Sequence, residues 1–71
     1  MLFLRNDQLV EALESKGVTV ADMRMAGLTQ FQAQMAVQGF LAVTKENAHC
    51  FQKATGIPEC TFLEIEKRFN R

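Results

Sequence analysis

The chain is 71 residues long and carries eight Lys and Arg residues against eight Asp and Glu residues, so its formal net charge is zero. A chain of this length forms one domain that buries only about 60% of the surface its unfolded form exposes, and we expect a second copy or a partner to add stability. The balanced charge disfavours non-specific nucleic-acid binding, which rests on Lys and Arg neutralising phosphates, but a local basic patch is compatible with it.

The apolar runs of the sequence are short. They do not reach the ~20 residues that a membrane span requires, and the first residues, MLFLRND, are too few for the apolar core of a signal peptide. We therefore expect a cytoplasmic protein with reduced thiols.

The residues with reactive or metal-binding side chains are few. Cys50, Cys60 and the single histidine, His49, do not suffice for a disulfide scaffold or for a zinc site, which takes about four nitrogen or sulfur ligands. His49 and Cys50 are neighbours on a predicted helix, so they do not face each other, and no third group completes a nucleophilic pair. We predict no metal, no cofactor and no enzymatic activity.

Four glycines divide the chain into segments with helical spacing. A glycine after a helical segment suits a left-handed C-terminal cap. The spacing predicts an all-α fold of five short helices in one domain, residues 1–71. The glycines are Gly17, Gly27, Gly39 and Gly56.

The first predicted helix runs from about Asp7 to Lys16, with Asn6 or Asp7 as its cap and Lys16 suited to its C-terminus. Before it, residues 1–6 are compatible with an extended N-terminal arm, in which Leu2 and Leu4 would share one side and Phe3 the other. The apolar face of the helix comprises Leu9, Val10 and Leu13.

The second and third helices are predicted over Val20 to Ala26 and Gln30 to Gln38. Each is preceded by a threonine with an acid or amide three residues later, which is the pattern of a capping box. The pairs are Thr19 with Asp22 and Thr29 with Gln32, and the inward-facing residues of these helices are Val20, Met23, Ala33, Ala36 and Val37.

The fourth helix should begin after Thr44 and end near Thr55, and the fifth should begin at Pro58, a favourable first helical position. Residues 40–43, FLAV, lie between the third and fourth helices and are expected in the core. The buried residues of the last two helices should be Ala48, Phe51, Phe62, Leu63, Ile65 and Phe69, with Cys50 or Ala54 as further candidates, and Glu64 can pair with Arg68.

The joint between the second and third helices has a distinctive order. A short capped helix ends at Gly27, one apolar residue, Leu28, follows, and a second capped helix starts at Thr29. A turn of this length with a glycine is typical of a helix-turn-helix, in which the second helix enters the major groove of DNA.

The order of segments around this joint extends the pattern to residues 7–69. LVEALESKGVT, AGLTQ, AVQG and VTKENAHCFQKATGIPECTFLEIEKRF follow one another as in the XRE class of lambda-repressor-like helix-turn-helix domains, and the chain most resembles the HigA-type antitoxins. The resemblance implies a DNA-binding transcriptional regulator, a repressor that is dimeric on operator DNA, with a toxin as a possible protein partner; a phage or mobile-element regulator fits equally. The matching positions are Thr44, Glu46, Ala48, Gly56, Leu63 and Arg68.

The third helix carries the candidate DNA-binding residues. Gln30, Gln34 and Gln38 form one stripe at ~100° per residue, and glutamine can pair with adenine while apolar groups can contact the thymine methyl. The resemblance implies groove contacts by Thr29, Gln30, Phe31, Gln34 and Met35, and phosphate contacts by Thr19, Thr44 and Lys45.

The sequence between Arg24 and Lys45 contains no charged residue, whereas members of this family usually carry Arg, Lys or Ser there. Two other interpretations therefore stay open. The glutamines can form an ordinary solvated face, or the same fold can be a protein-interaction module that binds a partner and not DNA. The interaction surface would then comprise Phe31, Met35, Phe40 and Leu41, while a homodimer would use Leu2, Phe3, Phe62 and Phe69.

Overall fold

The computed structural model describes residues 4–70. Within this range the chain is all-α, as predicted, with five helices and no strand. No described helix is long and apolar enough to cross a membrane. The helices are α1 (Asp7–Ser15), α2 (Val20–Met25), α3 (Gln30–Gln38), α4 (Lys45–Thr55) and α5 (Glu59–Phe69).

Local hydrogen bonds fix where the helices begin. The N–H of Gln32 donates to Thr29 Oγ1 at 3.1 Å, and the N–H of Thr29 donates to Gln32 Oε1 at 3.1 Å, so the predicted capping box is formed. The same reciprocal pair joins Thr19 to Asp22 at α2, as predicted. Helix α1 is capped by Asn6, whose Oδ1 accepts from the N–H of Leu9, and α4 has a third capping box, between Thr44 and Asn47.

All four glycines have positive φ angles, as the C-cap prediction requires. Gly39, which ends α3 with a φ of 85°, is buried and has the closest neighbouring atoms of the four. Its carbonyl accepts from the N–H of Asn6 at 2.8 Å, which ties the residues before α1 to the end of α3.

One apolar core joins the five helices. Helix α3 packs on α1 and α2, helix α4 on α2 and α5, and α5 also on α1. The rings of Phe51 and Phe62 lie 5.1 Å apart between α4 and α5, and two alanines on α3 allow the neighbouring helices to approach closely. The buried core comprises Leu9, Leu13, Met23, Leu28, Ala33, Ala36, Val43, Ala48, Phe51 and Phe62.

Three expectations about apolar residues are wrong in part. The prediction that residues 40–43 belong to the core holds only for Val43, which is buried, and in part for Leu41, which packs half-buried against the core; Phe40 is 40% exposed and Ala42 is exposed. Phe69 shares the side of α5 that carries Phe62, as predicted, but it is 38% exposed in the last turn of the helix and is not buried. Phe62 is fully buried against Phe51, as predicted for the core, so its second predicted role, in the homodimer surface, is wrong.

Several apolar residues lie together where the segment before α1 meets the ends of α3 and α5. Leu4, Phe40, Leu41 and Phe69 line one small cleft, which we call the terminal cleft. Leu4 itself is 73% exposed. The expected arm residues Leu2 and Phe3 lie outside the described residues, and residues 4–6 form no helix or strand.

Candidate functional site

The turn between α2 and α3 positions the candidate site. Helix α2 ends at Met25, and the N–H of Leu28 donates back to the Met23 carbonyl at 3.1 Å. Leu28 is buried in the core, and Thr29 starts α3 immediately after it. The bend predicted at Gly27 is therefore present, with the two helices separated by residues 26–29.

The turn is held from beneath by α4. Gly27 has φ 117°, and a Cβ placed there would lie 3.3 Å from the Sγ of Cys50. Cys50 is half-buried, and its thiol lies beneath the turn. This packing connects the start of α3 to the middle of α4.

The outward side of α3 is an uncharged face of amides and one phenyl ring. Gln30, Gln34 and Gln38 are exposed, as the stripe predicts, and Phe31 is 68% exposed beside them. We call these four residues the α3 face. The opposite side of the helix buries Ala33 and Ala36, so α3 cannot rotate without exposing the core.

Two other α3 residues are less exposed than the α3 face, and one of them, Gln32, forms the predicted capping box. Gln32 is half-buried and its Oε1 is engaged by the N–H of Thr29, so its role is to start the helix. Met35 is also half-buried. Phe31 is therefore the principal apolar group on the α3 face.

A depression between α2 and α3 borders the start of this face. It is lined by Arg24, Met25, Thr29 and Gln30, among others. Met25 is 87% exposed. The sequence reasoning did not select Arg24 or Met25, although a signal exists: Met23 is the inward residue of α2, and Met25 lies ~200° around the helix from it.

The start of α4 borders the other flank. Thr44 and Lys45 are exposed, and Thr44 lines a cleft with Gln32 and Glu46. The capping turns of α3 and α4 are therefore neighbours. Thr19, also exposed, caps the opposite end of α2 from Met25.

The charge around the α3 face is sparse and mixed. Arg24 and Lys45 are exposed, and neither forms an ion pair within residues 4–70. Glu46, next to Lys45, is also exposed. The face is thus neutral at its centre, with one cation on each flank and an acid beside one of them.

The remaining reactive residues have structural contacts. His49 Nδ1 lies 3.5 Å from Glu59 Oε2 and links α4 to α5. Glu64 and Arg68 form the predicted pair one turn apart, with Nε and Oε1 3.5 Å apart. Within the described range no three His, Cys, Asp or Glu side chains are placed to share a metal ion.

Comparison with known proteins gives no match to any family model, curated protein or solved structure. The likeness to lambda-repressor-like domains accordingly rests on the order and spacing of residues in this chain.

Proposed function

We propose that the protein is a small helix-turn-helix transcriptional regulator that places α3 in the major groove of operator DNA. The observation that carries the proposal is the α3 face: a capped helix, following a tight turn, that directs amides outward. An α-helix with its side chains is ~10–12 Å across, which fits a major groove of about 12 Å. Gln30, Gln34 and Gln38 would face the base edges.

The flanks of the α3 face supply the contacts to phosphate. Arg24 lies beside the start of α3 on one side, and Thr44, which is followed by Lys45 at the start of α4, lies on the other. Backbone N–H groups at a helix start and short polar side chains commonly bind phosphate oxygens. Thr19 would do the same at the start of α2. Each phosphate that a protein neutralises adds to its affinity for DNA and contributes about −0.9 to the slope of log K against log salt. Because few cations flank the α3 face, each copy neutralises few phosphates and binds DNA weakly.

Weak binding by one copy is offset when two copies act together. Two-fold related half-sites lie about 34 Å apart, a spacing close to the longest dimension of the described domain, 30 Å. The terminal cleft is the proposed homodimer surface, in place of the buried Phe62. A repressor of this kind that also neutralises a toxin, or a phage regulator, is supported by the sequence resemblance alone.

The test is binding to the DNA that flanks the protein's own gene, measured by mobility shift over a series of salt concentrations. Binding should weaken as salt rises, with a slope of log K against log salt of about −0.9 for each phosphate neutralised. Gln34→Ala should weaken operator binding by about 1–3 kcal/mol, whereas Gln8→Ala, an exposed glutamine on α1, should leave it unchanged. Equal discrimination between operator and scrambled duplex by wild type and Gln34→Ala would remove Gln34 from base recognition.

A second candidate function is a protein-interaction module that does not bind DNA. The observation that favours it is the exposure of Met25 and Phe31, because uncharged apolar groups are typical of the centre of a protein interface. Phe40 and Leu41 belong to the terminal cleft, so they do not extend this surface. An apolar contact changes little with salt, and a partner that binds equally well at low and high salt would favour this function.

A further inference from the structure

The inference concerns which base pairs the α3 face can recognise, and it rests on the proposed function. We infer that the operator half-site is read as A·T pairs, with Phe31 against the 5-methyl group of thymine and with Gln30 and Gln34 paired to adenine. The structure brings these three side chains to one exposed helical face, and the following steps use only their chemistry and placement.

The residue types on α3 favour A·T over G·C pairs. Guanine presents two acceptors in the major groove, which Arg or Lys reads best, and cytosine presents a donor, which Asp or Glu reads. Helix α3 contains none of these residue types. Arg24 and Lys45 lie on other helices, at the flanks, where phosphates rather than base edges would pass.

The amides of Gln30 and Gln34 suit adenine. A glutamine carboxamide can donate to adenine N7 and accept from adenine N6 at once. Gln30 and Gln34 are about one helical turn apart, a rise of ~6 Å, so both lie on the same side of α3 and can contact different bases. Gln32 cannot join them, since its amide oxygen is engaged at Thr29.

The phenyl ring of Phe31 suits the methyl group of thymine. Phe31 follows Gln30 in the first turn of α3 and is 68% exposed, so it has no protein neighbour that covers it. The thymine methyl is the apolar group that base pairs present in the major groove. An A·T pair offers that methyl together with the adenine acceptor and donor, so the amides and the ring are satisfied by the same class of base pair.

The mixture of side chains also favours this ligand over an apolar protein surface. Three glutamines lie beside Phe31 on the α3 face, and burying their amides against apolar groups would leave donors and acceptors unpaired, which costs about 1–3 kcal/mol for each group. The edge of an A·T pair leaves neither the amides nor the ring unmatched.

The experiment selects duplexes from a random-sequence pool with the full chain and then modifies the selected site. Replacing thymine by uracil removes the methyl and leaves the adenine edge unchanged, and it should weaken binding about 3- to 10-fold at the contacted position. Replacing adenine by 7-deazaadenine removes the N7 acceptor and should weaken binding about 5-fold or more.

Variants assign the two effects to residues. Phe31→Ala should bind thymine and uracil sites equally. Gln34→Ala should lose sensitivity to 7-deazaadenine at the adenine that Gln34 contacts and keep it at the adenine that Gln30 contacts. Gln8→Ala removes an exposed glutamine on α1, away from the α3 face and the terminal cleft, and should keep both sensitivities. Circular dichroism should show Phe31→Ala fully folded, because the ring is mostly outside the core.

The outcomes separate the inference from the proposed function. Selection of G·C-rich sites, or of A·T sites that bind equally with uracil, would overturn the inference while leaving DNA binding intact. No enrichment of any duplex, with no salt-dependent binding, would overturn the proposed function itself and the inference with it.

Discussion

Gly39 offers the sharpest test of how the end of α3 is held. An added Cβ at this position would lie 2.8 Å from Val10 Cγ2 and 2.8 Å from Arg5 Cγ, and 3.1 Å from the Asn6 carbonyl oxygen. Arg5 is exposed and can move aside, but Val10 is buried and the Asn6 backbone is fixed by its bond to Gly39. Gly39→Ala should therefore lower the free energy of unfolding twice over: by ~1–2 kcal/mol through the strain of an alanine in the left-handed region, and by a further ~1–3 kcal/mol through overpacking.

The matched control is Gly17→Ala, because Gly17 also has a positive φ, 62°, but no atom lies within 4 Å of a Cβ placed there. Gly17→Ala should therefore lower the free energy of unfolding only by the strain of about 1–2 kcal/mol. Urea denaturation followed by circular dichroism measures both free energies of unfolding, which for a chain this size total roughly 4–10 kcal/mol. Equal losses in the two variants would refute the argument that Val10 and Asn6 confine Gly39.

Three further changes give separate tests. Thr29→Ala should reduce the free energy of unfolding by ~1 kcal/mol because it removes the α3 cap, whereas Thr29→Ser should keep most of it; chemical denaturation distinguishes the two, and equal loss in both would contradict the capping role. Glu46→Gln should strengthen DNA binding at low salt and do so less at high salt, because it removes an acid beside Lys45; weaker binding in mobility shifts would show that this flank does not approach phosphate. Phe62→Ala should lower the free energy of unfolding by about 3–5 kcal/mol, measured in urea, and a loss below 1 kcal/mol would be inconsistent with its packing on Phe51.

The sequence by itself determined the helices and their ends. A capping box such as Thr29 with Gln32 joins residues three apart, and a glycine such as Gly27 acts through its own φ angle, so both features act within a few residues and are legible in the chain. The burial of Ala33 and the exposure of Gln30 and Gln34 also followed from helical periodicity, because one face of a short helix must pack.

Only the tertiary structure decided what lies beside these helices. The exposure of Phe40 and Phe69 depends on how the turn at Gly39 meets the end of α5, and Arg24 joins the start of α3 only because α2 folds back on it. A bond such as that from the Val43 N–H to Glu66, 23 residues away, has no local pattern that announces it. Long-range packing selects one of many arrangements compatible with the same apolar residues, and that choice determines which of them remain in solvent.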